Sequence, residues 1–321
     1  MIFRSKAKGF TLVELLVVIS ILGILAAALT TQVTSTREAA RAVKCKTNLK
    51  NLAQAALAYA TEDHPDTDST MYGDRCMPRA KSIEVFHFDR GWMKIKYRHY
   101  PGWVSWTWSS GGNPWPSDDS QAGSMKAASF HGDSSVTYHS LSNGVLWKYV
   151  GADLDTYVCE AHRKACRSKR VGSQRAPVSR SYVMNKYFDA DRYVGDLSTR
   201  GNAGALLLFA ELPAYTVQGG GFVESVATDK DASDGVLDAQ INGWAKLSSN
   251  EEIIGFNHRV AKRRVAHVAF ADGHVEAVVA PDKDLTLPKL KDLTCLLCNG
   301  VDLPADSKEW KGARNDHVQP K

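Results

Sequence analysis

The sequence predicts an α+β protein: one long N-terminal helix followed by a head built mainly on an antiparallel sheet. Three observations predict it. No proline interrupts residues 10–62, and apolar residues recur there at helical spacing. Beyond Pro65 that periodicity gives way to short apolar runs, aromatics and turn residues. Late in the chain, two alternating runs flank Asp272-Gly273, a strong hairpin signal.

The helix comes first. Residues 12–29 form an apolar run of 18, interrupted by Glu14 and Ser20. At the helical rise this spans ~27 Å, enough to cross the hydrocarbon core of a bilayer once. A lone carboxylate inside such a run costs several kcal/mol unless it has a partner, so Glu14 is expected to have one. Ahead of the run lies a short leader, 1–9, carrying Arg4, Lys6 and Lys8 and no acid. A secretory signal peptide has its cleavage site after the apolar core. Here no such site follows, and the change of character falls before the run, at Gly9-Phe10. Arg37, Glu38, Arg41, Lys44, Lys46 and Lys50 come next. Then Leu49, Leu52, Ala53, Ala56, Leu57 and Ala60 trace one apolar stripe. The sequence thus divides into a leader (1–9), a helix (10–64) and a β-rich head (65–321). Within the helix, 10–31 is the membrane or filament-core part and 32–64 packs on the head.

In the head, residues 109–120 read as a loop, and the apolar run 205–210 reads as a buried strand. The hairpin covers 265–279. A two-residue Asp272-Gly273 turn would place Phe270 opposite Val275, Val268 opposite Ala277 and Ala266 opposite Val279. His267, His274 and Glu276 would then share the other face.

The basic leader, the Gly9-Phe10 junction and Glu14 together resemble the cleavage and methylation signal of type IV prepilins and type II secretion pseudopilins. The resemblance implies cleavage by prepilin peptidase between Gly9 and Phe10, with N-methylation of Phe10. It also implies that Glu14 pairs with the N-terminal amine of a neighbouring subunit. Further on, Thr156-Tyr157-Val158-Cys159, Ser181-Tyr182-Val183-Met184-Asn185, Leu208-Phe209-Ala210-Glu211 and Phe270-Ala271-Asp272-Gly273-His274-Val275 stand in the order of a second pattern. They resemble prepilin-like proteins with a processing-associated C-terminal domain marked by His, nine residues, then Asp-Gly. His258, Asp272 and Gly273 would be the marking residues, although thirteen residues separate His258 from Asp272 here. Cys159 is followed by Glu160 where a proline is common. The resemblance implies a pilin-like fold and a structural subunit of a secretion pseudopilus or pilus-like filament, and no enzyme is expected because no catalytic motif occurs in the chain. Its partners would be prepilin peptidase, other pilin or pseudopilin subunits, an inner-membrane assembly platform and membrane lipid. The chain would cross the cytoplasmic membrane once, its head periplasmic or extracellular.

Composition and motifs bound the remaining functions. Loss of Arg4, Lys6 and Lys8 with the leader takes 40 basic residues to 37 against 35 acids, a formal +2. Nucleic acid is therefore not an expected partner. A DNA-binding minor pilin would have to use the patches at Arg163-Lys164, 167–170 and 262–264. A surface-displayed polysaccharide-binding protein is the other alternative, using Trp103, Trp106 and Trp108 with Trp92 and Trp115 nearby. Buried, these tryptophans are core. No Gly-x-Ser-x-Gly, His-Glu-x-x-His or P-loop pattern occurs, and His131-Gly132-Asp133-Ser134-Ser135 has no motif around it.

Six cysteines, Cys45, Cys76, Cys159, Cys166, Cys295 and Cys298, on an exported head predict disulfides. Cys159 with Cys166 and Cys295 with Cys298 could each close a short loop. The competing reading joins these four in a zinc site. No cofactor is expected, save calcium at an oxygen-rich loop containing Asp229, Asp231, Asp234 and Asp238. That loop lacks the glycine and glutamate of an EF-hand.

Overall fold

In a computed structural model of the chain, the structure describes residues 11–62, 76–80, 83–89, 94–100, 102–104, 141–167, 180–189, 203–224, 235–237, 253–260, 263–281 and 285–298. It is α+β. Helix α1 (Leu12–Thr61) precedes the hairpin β1 (Ile83–Asp89) and β2 (Lys94–Tyr100). A 3-10 turn (Leu154–Tyr157) leads into the short helix α2 (Glu160–Arg167) and then β3 (Tyr182–Asn185). Strands β4 (Leu207–Glu211), β5 (Tyr215–Gln218), β6 (Gly221–Glu224) and β7 (Val236–Leu237) follow. The described part closes with β8 (His258–Val260), β9 (Arg263–Phe270), β10 (Val275–Val279) and helix α3 (Leu287–Cys298).

The main sheet runs β10-β9-β4-β3-β7, with β8 also paired to β9; every pairing is antiparallel except β3 with β7. Its central strands are buried on both faces, because a helix covers each side. On one face, Leu49, Leu52, Ala53 and Ala56 of α1 join Tyr182, Met184, Phe209 and Ala269 in one core. On the other, Leu290, Leu293 and Leu297 of α3 join Val183, Ala210, Ala266, Val268 and Phe270 in a second.

Helix α1 starts two residues later than the sequence suggested, because Thr11 and Glu14 form a capping box. Thr11 Oγ1 accepts from the Glu14 N–H at 3.3 Å, and Glu14 Oε2 accepts from the Thr11 N–H at 2.8 Å. The apolar first part is exposed all round, with Leu12, Ile19 and Ile24 more than half accessible. Among the described residues no helix is long and apolar enough to cross a membrane. From Ala42 onward the same helix turns into a one-sided stripe. Ala42, Cys45, Leu49, Leu52, Ala53, Ala56 and Ala60 are all buried.

The hairpin register differs from the expected one by a single residue. Ala269 faces Val275, Val268 faces Glu276, His267 faces Ala277 and Ala266 faces Val278. The loop holds three residues rather than two: the Phe270 N–H reaches His274 O at 3.0 Å, and the Gly273 N–H reaches Phe270 O at 2.9 Å. Asp272 Oδ1 accepts the His274 N–H, and Gly273 takes a positive φ of 87°. That is the three-residue turn with a left-handed last position, which Asp-Gly serves as well as it serves the two-residue turn. A slip of one flips every β10 side chain. Val275 therefore joins the α1 side and Val278 the α3 side.

Candidate functional site

Five ionisable side chains from α1, the start of α2 and three strands meet beneath α1, wholly inside the head. Glu211, the last residue of β4, is at the centre and has no exposed surface. Alternation along β4 sends Phe209 and Glu211 toward α1. The neighbouring β9 sends His267 to the same side as Ala269, and β8 contributes His258 opposite Val265. Cys45 descends from α1 four residues before Leu49, on the helix's apolar stripe. Cys159 precedes α2, where Asn48 of α1 holds the chain by donating to Asp155 O at 2.8 Å and Val158 O at 3.0 Å.

The contacts converge on one carboxylate. Glu211 Oε1 lies 2.9 Å from Cys45 Sγ, 3.2 Å from His258 Nε2 and 3.0 Å from His267 Nδ1, and also accepts the His267 backbone N–H at 3.2 Å. Glu211 Oε2 accepts from Asn257 Nδ2 at 2.9 Å, with Cys159 Sγ at 3.8 Å. Cys159 Sγ is also 3.4 Å from His258 Nε2, and Tyr182 Oη donates to Cys45 Sγ at 3.3 Å. Asn257 is itself fixed, donating to Leu212 O at 2.8 Å and accepting from the Ala214 N–H at 2.9 Å. Gly255 permits this approach: a Cβ there would sit 2.3 Å from Leu212 O.

Electrostatics follow from burial and pairing. Burial alone would raise the Glu211 carboxyl. The His258 charge and the hydrogen bonds from both histidines outweigh it and hold the group well below the usual carboxylate range. Burial opposes a charge on His258 too, but Glu211 and Cys159 lift its pKa from 6.5 to about 10. Burial, with Cys159 and Glu211 adding to it, pushes the Cys45 thiol up. For Cys159, burial is outweighed by the Cys45 hydrogen bond and by His258, which favour its thiolate.

Cys45, Cys159, Glu211, His258 and His267, all named above from sequence, enter this cluster, though only Cys159 and His258 were candidate site residues. Asp272 and Gly273 do not enter it. From the Val265 pair of His258 to the turn is ~20 Å along β9 at the strand rise. Asp272-Gly273 shapes the turn, where the His274 ring stacks on Phe270 at 4.5 Å. Among the described cysteines no disulfide is present. Cys159 is a thiol directed at Glu211 and His258, and Cys295 and Cys298 are thiols in the last turn of α3. The cysteines of the four-cysteine zinc reading are not brought together among the described residues: Cys159 belongs to the core under α1, and Cys298 to the core under α3. Trp103 is fully buried, its ring 6.1 Å from Tyr157, and is a core residue. The basic patches partly meet: Lys164 and Arg264 line one hollow of about 360 Å³ with Arg41 and Arg259, next to Asn257 and His258.

Gly9, Phe10, Asp229, Asp231, Asp234, Asp238, Trp92, Trp106, Trp108, Trp115 and residues 109–120 and 131–135 lie outside the described residues, and so does the Cys166 side chain. Sequence reasoning passed over Cys45, Glu211 and His267 as a set. The available signals were Cys45 falling on the Leu49-Leu52-Ala56 stripe, and an acid closing the apolar run at 205–210.

The chain matches the prokaryotic N-terminal methylation motif over residues 4–30. No curated protein and no solved structure matches it. It thus carries a type IV pilin-like N-terminal signal, and the matched residues include Gly9, Phe10 and Glu14.

Proposed function

We propose that this protein is a structural, non-enzymatic subunit of a type II secretion pseudopilus or type IV pilus-like filament. Prepilin peptidase would release it by cutting between Gly9 and Phe10, and the new N-terminus would be N-methylated. The observation that carries the reading is the two-part character of α1. One uninterrupted helix is bare and apolar at the N-terminal end, within the matched methylation motif, and forms the spine of the head at the other. A bare apolar rod has no stable place in water. It needs lipid before assembly and the rods of neighbouring subunits afterwards. The cytoplasmic membrane would hold the unassembled subunit by this helix, with the head outside and an assembly platform as partner.

In the isolated chain the capping box satisfies Glu14. In a filament, the carboxylate would exchange the Thr11 amide for the N-terminal amine of the next subunit. The gain is a charge-assisted contact in an apolar core, where each charge relieves the desolvation of the other. Intact-mass spectrometry of the protein from its native membrane tests the processing step, with a methylated chain beginning at Phe10 expected. A mature chain beginning elsewhere overturns the assignment. Glu14→Ala should be cleaved and inserted normally but poorly recruited into filaments. Equal polymerisation at equal expression removes Glu14 from the assembly contact.

A further inference from the structure

We propose that Cys45, Glu211, His258 and His267 form a structural site for a divalent transition-metal ion of the zinc class, clasping the spine helix to the sheet of the head. The inference goes beyond the filament reading and does not depend on it.

One ligating atom from each of the four residues lies within 4.8 Å of the others, and all four residues are buried. Donors held by a tetrahedral ion at about 2.0–2.3 Å stand about 3.3–3.7 Å apart. The contacts from Glu211 Oε1 to the other three are 2.9, 3.2 and 3.0 Å and would open by a few tenths of an ångström, while the widest separation in the group, within 4.8 Å, would close toward about 3.7 Å. The present arrangement also crowds one atom. A carboxylate oxygen has two lone pairs, yet four polar atoms approach Oε1 within 3.2 Å. An ion at the centre would turn mutual crowding on one oxygen into four separate bonds.

The donor set selects the metal. Thiolate and imidazole favour zinc and its neighbours over calcium or magnesium, which take all-oxygen shells. Charge balance favours it as well: a divalent ion with one thiolate, one carboxylate and two neutral imidazoles leaves a fully buried site with no net charge. An outer shell is in place. Asn257 holds the second Glu211 oxygen at 2.9 Å, Tyr182 donates to Cys45 Sγ at 3.3 Å, and Cys159 stands beside His258. The ligands come from α1, β4, β8 and β9. Binding would therefore join the helix to three strands that reach it from distant parts of the sequence.

The test uses the full chain isolated in mild detergent under reductant, loaded with zinc chloride or cobalt(II) chloride and passed through gel filtration. We expect about one zinc per chain to remain bound, and the cobalt form to show intense tetrahedral bands with a thiolate-to-cobalt charge-transfer band. Cys45→Ser should remove the charge-transfer band. Both Cys45→Ser and His258→Gln should weaken zinc binding at least about tenfold. Cys295→Ser, whose side chain lies on α3, should change neither. No retained zinc overturns the proposal, as does octahedral cobalt without a thiolate band, or zinc affinity unchanged in both ligand variants. A chain isolated without reductant that is two hydrogens lighter than its thiol form, from a Cys45–Cys159 disulfide, also overturns it. Far-ultraviolet circular dichroism reports whether each variant folds. If a variant does not, stoichiometry and the cobalt spectrum of the unsubstituted chain decide the matter.

Discussion

At the scale of single residues, the buried pair of Glu211 and His258 ties stability to pH in the metal-free protein. The Glu211 carboxyl is depressed below its ordinary 4.5, so its contribution is present above that value and is lost as pH falls below it. His258 is raised from 6.5 to about 10, so its contribution is complete below 6.5 and is lost as pH climbs toward 10. Melting temperature in the presence of a chelator should therefore be highest between about 4.5 and 6.5 and fall on both sides. Glu211→Gln should lower the maximum, by about 3–5 kcal/mol for a broken buried pair, and flatten the alkaline limb. An alkaline limb that persists in that variant would assign it to other groups. A second residue gives the opposite sign. Tyr157 lies between the rings of Trp103 and Trp147, each 6.1 Å away, and its buried hydroxyl has no hydrogen-bond partner among the described residues. Tyr157→Phe keeps the stacking and removes an unsatisfied polar atom, so unfolding should show a gain of about 1 kcal/mol. A loss would mean that the hydroxyl is satisfied in solution.

At the scale of elements, the helix and the strands were legible and their partners less so. Helical spacing announced the α1 stripe at Leu49, Leu52, Ala53 and Ala56. The same rule carried back through Cys45 and Ala42, where a cysteine in an exported chain suggested a disulfide instead. The apolar run at 205–210 announced β4, but burial on both faces hides from the sequence which face Glu211 will take. The β9–β10 hairpin was legible and its register was not, because Asp272-Gly273 suits two loop lengths and β9, apolar on both faces, favours neither. His258 and Asp272 stand in one sequence pattern yet do different work, since the whole of β9 lies between their levels. Close approach at Gly255 was also invisible in sequence, although the site depends on it. Gly255→Ala would drive a methyl into Leu212 O, separating the 253–258 segment from the end of β4 and loosening Asn257 and His258 together. Chemical unfolding should show a cost of at least about 1–3 kcal/mol, the scale of an overpacked interior. An unchanged midpoint would show that the segment yields freely.

For the whole molecule, the decisive question is where folding stability ends and filament assembly begins. Among the described residues, the apolar part of α1 makes no core contact, since its large side chains from Leu12 to Leu25 are exposed. Every buried side chain of α1 among the described residues lies at or beyond Ala42, and the three ligands besides Cys45 come from the sheet. The two sheet faces carry separate cores, each closed by its own helix, so neither needs the N-terminal rod. A chain beginning at Ser35 should therefore fold alone as a soluble monomer with a cooperative melt. Truncation into the stripe should not be tolerated: beginning at Leu49 would remove Cys45 and the Asn48 bonds that hold the Cys159 segment. Single replacement of Leu49 or Leu52 by Ala in the Ser35 chain should cost about 2–5 kcal/mol, as expected for cavities in a packed core. Circular dichroism melts and sedimentation velocity check all three expectations. If the Ser35 chain melts without cooperativity while the full chain in detergent melts sharply, the rod contributes to folding as well as to assembly. The division of α1 into a filament half and a head half would then have to be abandoned.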